Sequence, residues 1–510
     1  MNITATVYKD RVLACFTGKN IGGTMGYPME FDRQKNIVTG YDESLDLPMP
    51  NDDLDLQLLW LIALEEKGCH ITTERLAEYW QRYLTPHWAE YGISKVNMRS
   101  GILPPMSGTV NNEMYKNSNG AWIRSEIWAC LAPAAPEAAA RMALLDAMLD
   151  HGDGEGTWAE IFCAALESMA FAERDLPLLI RRALAFLPED SGVYRAVTDA
   201  CGCYDKRLSL DEAREFLLRH HRGRYGRSVS REDAEKGLGD GPIGYDAPLN
   251  VAIVVAGLLY GEGDFDKTVT STIFFGEDTD CTVGTAAAVF GLLYGFDAIS
   301  EKWKAPVGNR ITVGTLNLGE LGSYGDVLPK TVEELTERIY RQHRICAASF
   351  ALPSAADGFD TAAMPAGTWA PSAGFLEDVR LTVTTQYFRS DFYAVRVDYL
   401  TKDCAITRDV PRKIRIVFEN EYKTADIFTF RWILPEGVTV SPQKMIFVII
   451  LNGEAHKKNI QIHIFAVSRL GLAAVRTPGQ AADHGGDRQQ KGQEQSEFSF
   501  HNLFLLINSL

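Results

Sequence analysis

Several of the signatures that reveal a protein's chemistry at first reading are missing from this chain. It has no Walker loop, no HExxH pair, no Ser-His-Asp order and no dinucleotide fingerprint set between a strand and a helix. The nine cysteines are scattered, and the closest two, Cys201 and Cys203, are not a CxxC. That excludes a zinc finger or a disulfide framework and leaves incidental thiols, whose odd count suits a reducing compartment. No run reaches the ~18 apolar residues of a membrane span, and "FVIIL" (Phe447 to Leu451) is short enough to be a strand. The N-terminal "MNITATVYKDRVLACF" lacks the apolar core of a secretory signal, so the expected location is cytoplasmic, without membrane contact. Basic residues are also in short supply: 51 Lys and Arg face 67 Asp and Glu, for a net charge of −16. This argues against a nucleic-acid partner, which needs local basic surface. The one compact basic run, "RHHRGRYGR" (Arg219 to Arg227), reads as a solvated loop, with a phosphate-receiving segment as the alternative.

What is present divides the chain. Residues 1–350 carry helical signals. Leu54, Leu58 and Leu61 form a stripe that stops at Lys67-Gly68, and Ser209 with Glu212 and Thr331 with Glu334 have the spacing of capping boxes. Residues 351–375 lose periodicity and gather Pro, Gly, Ala and Ser, as linkers do. Over 376–470 the period becomes two, with Leu381, Val383 and Thr385, then Val395, Val397 and Tyr399, then Ile414, Ile416 and Phe418. That pattern predicts a small all-β sandwich domain. Residues 471–510 form a polar tail, expected to be disordered, with an apolar end. The fold class expected is therefore multidomain, an all-α domain followed by the sandwich.

Two acidic clusters carry the chemistry. "PNDDLD" holds Asn51, Asp52, Asp53 and Asp55, and "GEDTDCT" holds Glu277, Asp278 and Asp280. Each immediately precedes an apolar helix, where the helix dipole favours negative charge. N-capping is the plain alternative, yet a cap needs one acceptor and not three acids in four residues. If the clusters meet, like-charge repulsion calls for cations, and oxygen ligands suit Mg²⁺, Mn²⁺ or Ca²⁺.

These residues resemble the ADP-ribosylglycohydrolase family. The chain has "GGTMGYPME" (Gly22 to Glu30) for the family's "GDALGxPxE", "NDDL" (Asn51 to Leu54) for "TDDT", and "GEDTDCT" (Gly276 to Thr282) for "GGDTDT". The "GLLYG" that ends at Gly295 follows in the family's manner. The resemblance spans about residues 8–345. It implies an all-helical fold, a binuclear magnesium centre with manganese as substitute, and hydrolysis of an N- or O-glycosidic bond at C1 of a ribosyl group, foremost in ADP-ribosyl conjugates.

Carried over by position, Asp52 and Asp53 would bind the first ion, Asp278 the second, and Asp280 would bridge. Asn51 stands where the family has Thr and still offers an oxygen. Cys281 replaces the Thr after the last Asp, so Thr282 or Glu277 completes the second position, or that ion is held more weakly. The Asp of the first motif is Gly23. The catalytic candidates are Glu30, Asp53 and Asp278, with Glu30 activating water or gating the site. "NSNGAWIRSEIWAC" offers Asn119 and Gly120, and "LDHGDGEG" offers His151 and Gly152, as substrate-binding candidates, with an ordinary helix–helix turn as the alternative. "GILPPMSGTVNNEMY" (Gly101 to Tyr115) reads as a lid or as disorder. The altered positions leave two other readings open: hydrolysis of another ribosyl, nucleoside or sugar conjugate, and a non-catalytic ADP-ribose-binding module. The added β domain would then recognise a glycan or protein partner.

Overall fold

The structure is a computed structural model that describes residues 2–30, 33–225, 245–319, 328–389 and 393–400, and beyond them the strands named below. The chain falls into two units, Met1–Val383 and Thr384–Leu510.

The first unit is built around two antiparallel helices, Ala5–Gly26 and Thr279–Tyr294. Both are buried nearly all round, so neither has an amphipathic stripe, as expected of central helices. Small residues at every fourth position let the backbones touch. A Cβ at Gly18 would lie 2.3 Å from the Ala287 carbonyl, one at Gly22 would lie 2.5 Å from Gly284, and one at Gly26 would lie 2.3 Å from Asp280 N. No side chain fits there, and the contact fixes the helices in register. It delivers the start of the second helix, with Asp278 and Asp280, to the end of the first.

Helix Asp52–Lys67 begins at an Asn51 cap and stops at Gly68, and it too is buried from Asp53 to Leu64 rather than along one stripe. Its third acid, Asp55, turns from the cluster and accepts from Gly314 N, Thr315 N and Thr315 Oγ1 at 2.7–2.9 Å. Ala247–Gly261 is a further all-buried helix. The Ser209–Glu212 capping box is complete. At the second, Thr331 caps Glu334 N, while the Glu334 carboxylate accepts from Lys330 N instead of the cap residue.

Residues 101–115 are packed: Met106–Thr109 is a short buried helix, and Asn112 donates to the Gly108 and Asp150 carbonyls. The stretch expected as a linker holds Phe359–Asp360, paired with Asn2–Ile3, and lies within the first unit. Leu381 and Val383 do not begin a strand, because Phe375–Thr382 is a helix that buries Phe375 and Val379. Those two residues are one helical turn apart, and Phe375 meets Phe186 edge-on at 5.3 Å. Tertiary contact thus overrides a short period-two pattern. No helix among the described residues is long and apolar enough to cross a membrane.

The second unit is antiparallel β-structure. Five strands run in the order Thr385–Arg389, Tyr393–Asp398, Arg412–Asn420, Lys457–Ala466, Val438–Ser441. Three more run Phe504–Ser509, Asp426–Ile433, Phe447–Ile450, and Phe498–Ser499 pairs with Ala405–Ile406. The apolar chain end thus contributes two strands, while the polar stretch 471–497, expected to be disordered, lies outside the described residues.

Candidate metal centre and active site

The helix contact brings the three sequence motifs together. After Gly26 a 3₁₀ turn, Tyr27–Met29, carries the chain to Glu30. Glu30 is exposed at the mouth, and its carboxylate stands within 4.8 Å of oxygens of Asp278 and Asp280. A second group, Asp53, Asp280 and Cys281, has one ligand atom each within the same distance, and all three residues are buried. Asp280 belongs to both groups.

The turn before Asp278 has left-handed backbone at Gly276 (φ 74°) and at Glu277 (φ 68°). For glutamate this conformation is costly. It is held by an ion pair from the buried Glu277 carboxylate to Arg222, with Arg33 at 3.7 Å. Glu277 is thereby committed to arginines. Asp278 N donates to Asn250 Oδ1 (3.3 Å), and Asp278 Oδ2 accepts from Asn119 Nδ2 (2.8 Å), which is itself fixed by Trp122. Thr279 Oγ1 donates to the Gly26 carbonyl, tying the two helix ends.

On the other side, Asp53 is wholly buried and pairs with Lys19 (3.1 Å), which also bonds Glu126 (2.8 Å) and Thr285 (2.9 Å). Asp52 accepts from Tyr91 (3.1 Å). Cys281 Sγ lies 3.5 Å from Asp53 Oδ1.

The electrostatics are lopsided. Glu30 keeps one side open to solvent, yet the protein crowded round its carboxyl, then the neighbouring Asp280, Asp52 and Asp53, push it up to about 8. Burial chiefly, with Glu30 adding, pushes Asp278 up to about 7. Asp280 is driven well above the carboxylate range by burial and by Asp278, and Asp53 by burial although Lys19 opposes it. Lys19 goes the other way. Burial would lower it, but Glu126 and Asp53 outweigh that and keep it charged. Asp278 Oδ1 and Asp280 Oδ1 are buried with no hydrogen-bond donor. Oxygens in that condition suit a hard divalent cation, which would supply the missing positive charge. The residues present fit a metal centre.

The ADP-ribosylglycohydrolase family model matches residues 4–345. The chain belongs to the ADP-ribosylglycohydrolase family. It is therefore a glycosidic-bond hydrolase, and a ribosyl conjugate is the class of substrate the family implies. One solved structure, described as an ADP-ribosylglycohydrolase-related protein complex, is similar over 66% of this chain and 99% of that chain, at 19% identity and a TM-score of 0.36. Among curated proteins, none matches.

The departures from the glycohydrolase motifs have a spatial logic. Asn51 Oδ1 accepts from Asp53 N at 2.7 Å, so its oxygen serves the helix cap. Its Nδ2 fills the space beside Gly23, where a Cβ would stand 1.8 Å away. The two altered positions are thus one packing event. Thr282 Oγ1 donates to the Asp278 carbonyl (2.8 Å), turned along its own helix.

The substrate-binding candidates divide. Asn119 touches Asp278. Gly120 is pressed on Glu90, whose Oε1 would lie 2.2 Å from a Cβ. His151 is fully buried, with Nδ1 on Asp150 (2.9 Å), Nε2 on Ser118 (3.2 Å) and Gly156 against its ring. Gly152 makes a left-handed turn (φ 49°) packed on Thr109. The sequence reading passed over Lys19, Tyr91, Asn250 and Glu126. Of these, Asn250 did leave a mark, as the polar residue within the otherwise apolar helix Ala247–Gly261.

Proposed function

We propose that the chain hydrolyses the C1 glycosidic bond of ADP-ribosyl conjugates at a centre of two magnesium ions, for which manganese substitutes. The observation that carries this reading is the pair of buried, donor-free oxygens, Asp278 Oδ1 and Asp280 Oδ1, beside Glu30 and Asp53. Asp52, Asp53, Asp278 and Asp280 would hold the ions, with Asn51 and Thr282 at the edge. When bound, the ions supply Lewis-acid polarisation of the ribose hydroxyls and of water.

Glu30, at the mouth, accepts a proton from the attacking water as its oxygen bonds to C1. The C1–N or C1–O bond breaks with its electron pair on the leaving group, to which Glu30 returns the proton, through an oxocarbenium-like state. Asp53 and Asp278 orient the reacting groups, and Lys19 opposes the burial that raises Asp53. Asn119 and Gly120 form the wall nearest the ribosyl group. His151 and Gly152 act from behind it, through Ser118 and Thr109, to hold that wall in place.

Free ADP-ribose released from an ADP-ribosylated peptide is the measurement. Release that needs Mg²⁺ and disappears in Asp278→Ala and Asp280→Ala supports the reading, and ADP-ribose binding without release sinks it. A second reading, a different ribosyl, nucleoside or sugar conjugate, is favoured by the changes at Gly23, Asn51 and Cys281. It would show as turnover of a nucleoside or sugar panel in place of the peptide. We also propose that the five- and three-stranded sheets of the second unit stack as a sandwich.

A further inference from the structure

The two groups of ligand atoms differ in chemistry. Glu30, Asp278 and Asp280 present only carboxylate oxygens, whereas Asp53, Asp280 and Cys281 present two carboxylates and a sulfur. Carboxylate oxygens suit magnesium and manganese, and thiolate favours softer ions such as zinc, cobalt and cadmium. The sulfur is no bystander. Cys281 sits in the first turn of the helix that supplies Asp280, its Sγ is 3.5 Å from Asp53 Oδ1, and it is only 6% exposed. The independent sign of a ligand is Asp280, 5% exposed, whose Oδ1 has no hydrogen-bond donor and which belongs to both groups. The alternatives for completing this position are engaged elsewhere, Glu277 with Arg222 and the Thr282 hydroxyl with the Asp278 carbonyl.

We infer that the Asp53–Asp280–Cys281 position prefers a borderline or soft divalent ion to the second magnesium of the reading above, through the Cys281 thiolate, while the Glu30–Asp278–Asp280 position takes a hard one, so that the centre becomes heterobinuclear where such an ion is supplied. The inference rests on the metal-centre reading above. As the sulfur–metal bond forms, the Sγ–H proton passes to buffer, and no electron is transferred. Lys19 beside Asp53 limits the negative charge that this position can offer, which also suits a ligand set of fewer carboxylates.

The test titrates the full chain with Co²⁺, Cd²⁺ and Mg²⁺, reading sulfur-to-metal charge-transfer absorption for the first two and calorimetric affinity for the second and third. Wild type is expected to show the band. Cys281→Ser and Cys281→Thr should lose it and bind Cd²⁺ at least about tenfold more weakly, the least that removal of even a supporting partner brings. Their Mg²⁺ affinity should stay within about twofold of wild type, which also reports that the variants fold. Wild type that binds Mg²⁺ and Cd²⁺ without a charge-transfer band overturns the Cys281 assignment alone. Wild type that binds none of the three ions overturns the metal centre itself, and this assignment with it.

Discussion

Two sets of buried acids lie within one helical unit, and only one of them is finished. In the set behind the site, Arg124 donates to Asp146 (2.9 Å) and to both oxygens of Asp150 (2.9 and 3.0 Å). Trp60 and Trp128 complete Asp146 at 2.7 and 2.9 Å, and His151 adds to Asp150. Burial alone would raise Asp150, but Arg124 and His151 outweigh it and hold it at about 2. Burial still raises Asp146 although Arg124 opposes it, and Glu160 departs further. Neither of its oxygens has a hydrogen-bond partner, and burial, with Asp146 adding, drives it well above the usual carboxylate range. In the set at the site, Asp278 and Asp280 keep donor-free oxygens and raised pKa values. Saturated carboxylates serve the fold, and unsaturated ones placed together at a mouth await a charge from outside.

Arg124→Met tests the finished side most severely. It strands Asp146 and Asp150 as buried charges and should cost about 3–5 kcal/mol, read as a lower urea midpoint. A loss under about 1 kcal/mol would show that these acids tolerate donor-free burial as those at the site do. Gly23→Asp is the next test. Its side chain must displace the Asn51 amide, at an expected cost of about 1–3 kcal/mol. The double change Gly23→Asp with Asn51→Thr should recover most of that, and additive losses in a double-mutant cycle would deny the coupling.

The unfinished side should reveal itself through pH. In chelator, Asp278 at about 7 and Glu30 at about 8 titrate above their unfolded range near 4, so the folded state binds protons more tightly. Their stabilisation is complete below that range and is lost as pH rises through 7 and 8. The melting temperature of the metal-free chain should therefore fall on the order of 2 °C across that window, and saturating Mg²⁺ should cancel the fall. A flat profile would place compensating cations at the site. Asp280→Asn should move stability least, within about 0.5 kcal/mol, because burial and Asp278 already favour the uncharged carboxyl and the amide keeps its shape. It should nevertheless abolish ribosyl release. A large destabilisation would put Asp280 among the structural acids.

The helical unit and the acid motifs were legible because buried helices and acid runs are local patterns. The three motifs could be matched in order from the letters alone. What the letters hid was which atoms are already spent. Asn51 is a cap, Asp55 clamps Gly314 and Thr315, and Glu277 belongs to Arg222, each through a partner distant in sequence or a backbone amide. Lys19, the cation facing Asp53, is over 30 residues from it and reads as one lysine among many. The strand pattern at 381–383 failed for the same reason, since Phe375 has a distant partner in Phe186.

The helix pair Ala5–Gly26 and Thr279–Tyr294 has a consequence for biosynthesis. Asp52 and Asp53 leave the ribosome long before Asp280 does, and their half of the cradle has no counterpart until the second helix is made. The centre depends on contacts of very high sequence separation, whose loop-closure cost is met only when most of the unit is in place. A nascent chain halted before Tyr294 should hold its first acid motif without capturing an ion, so metal uptake would mark completion of the unit during translation.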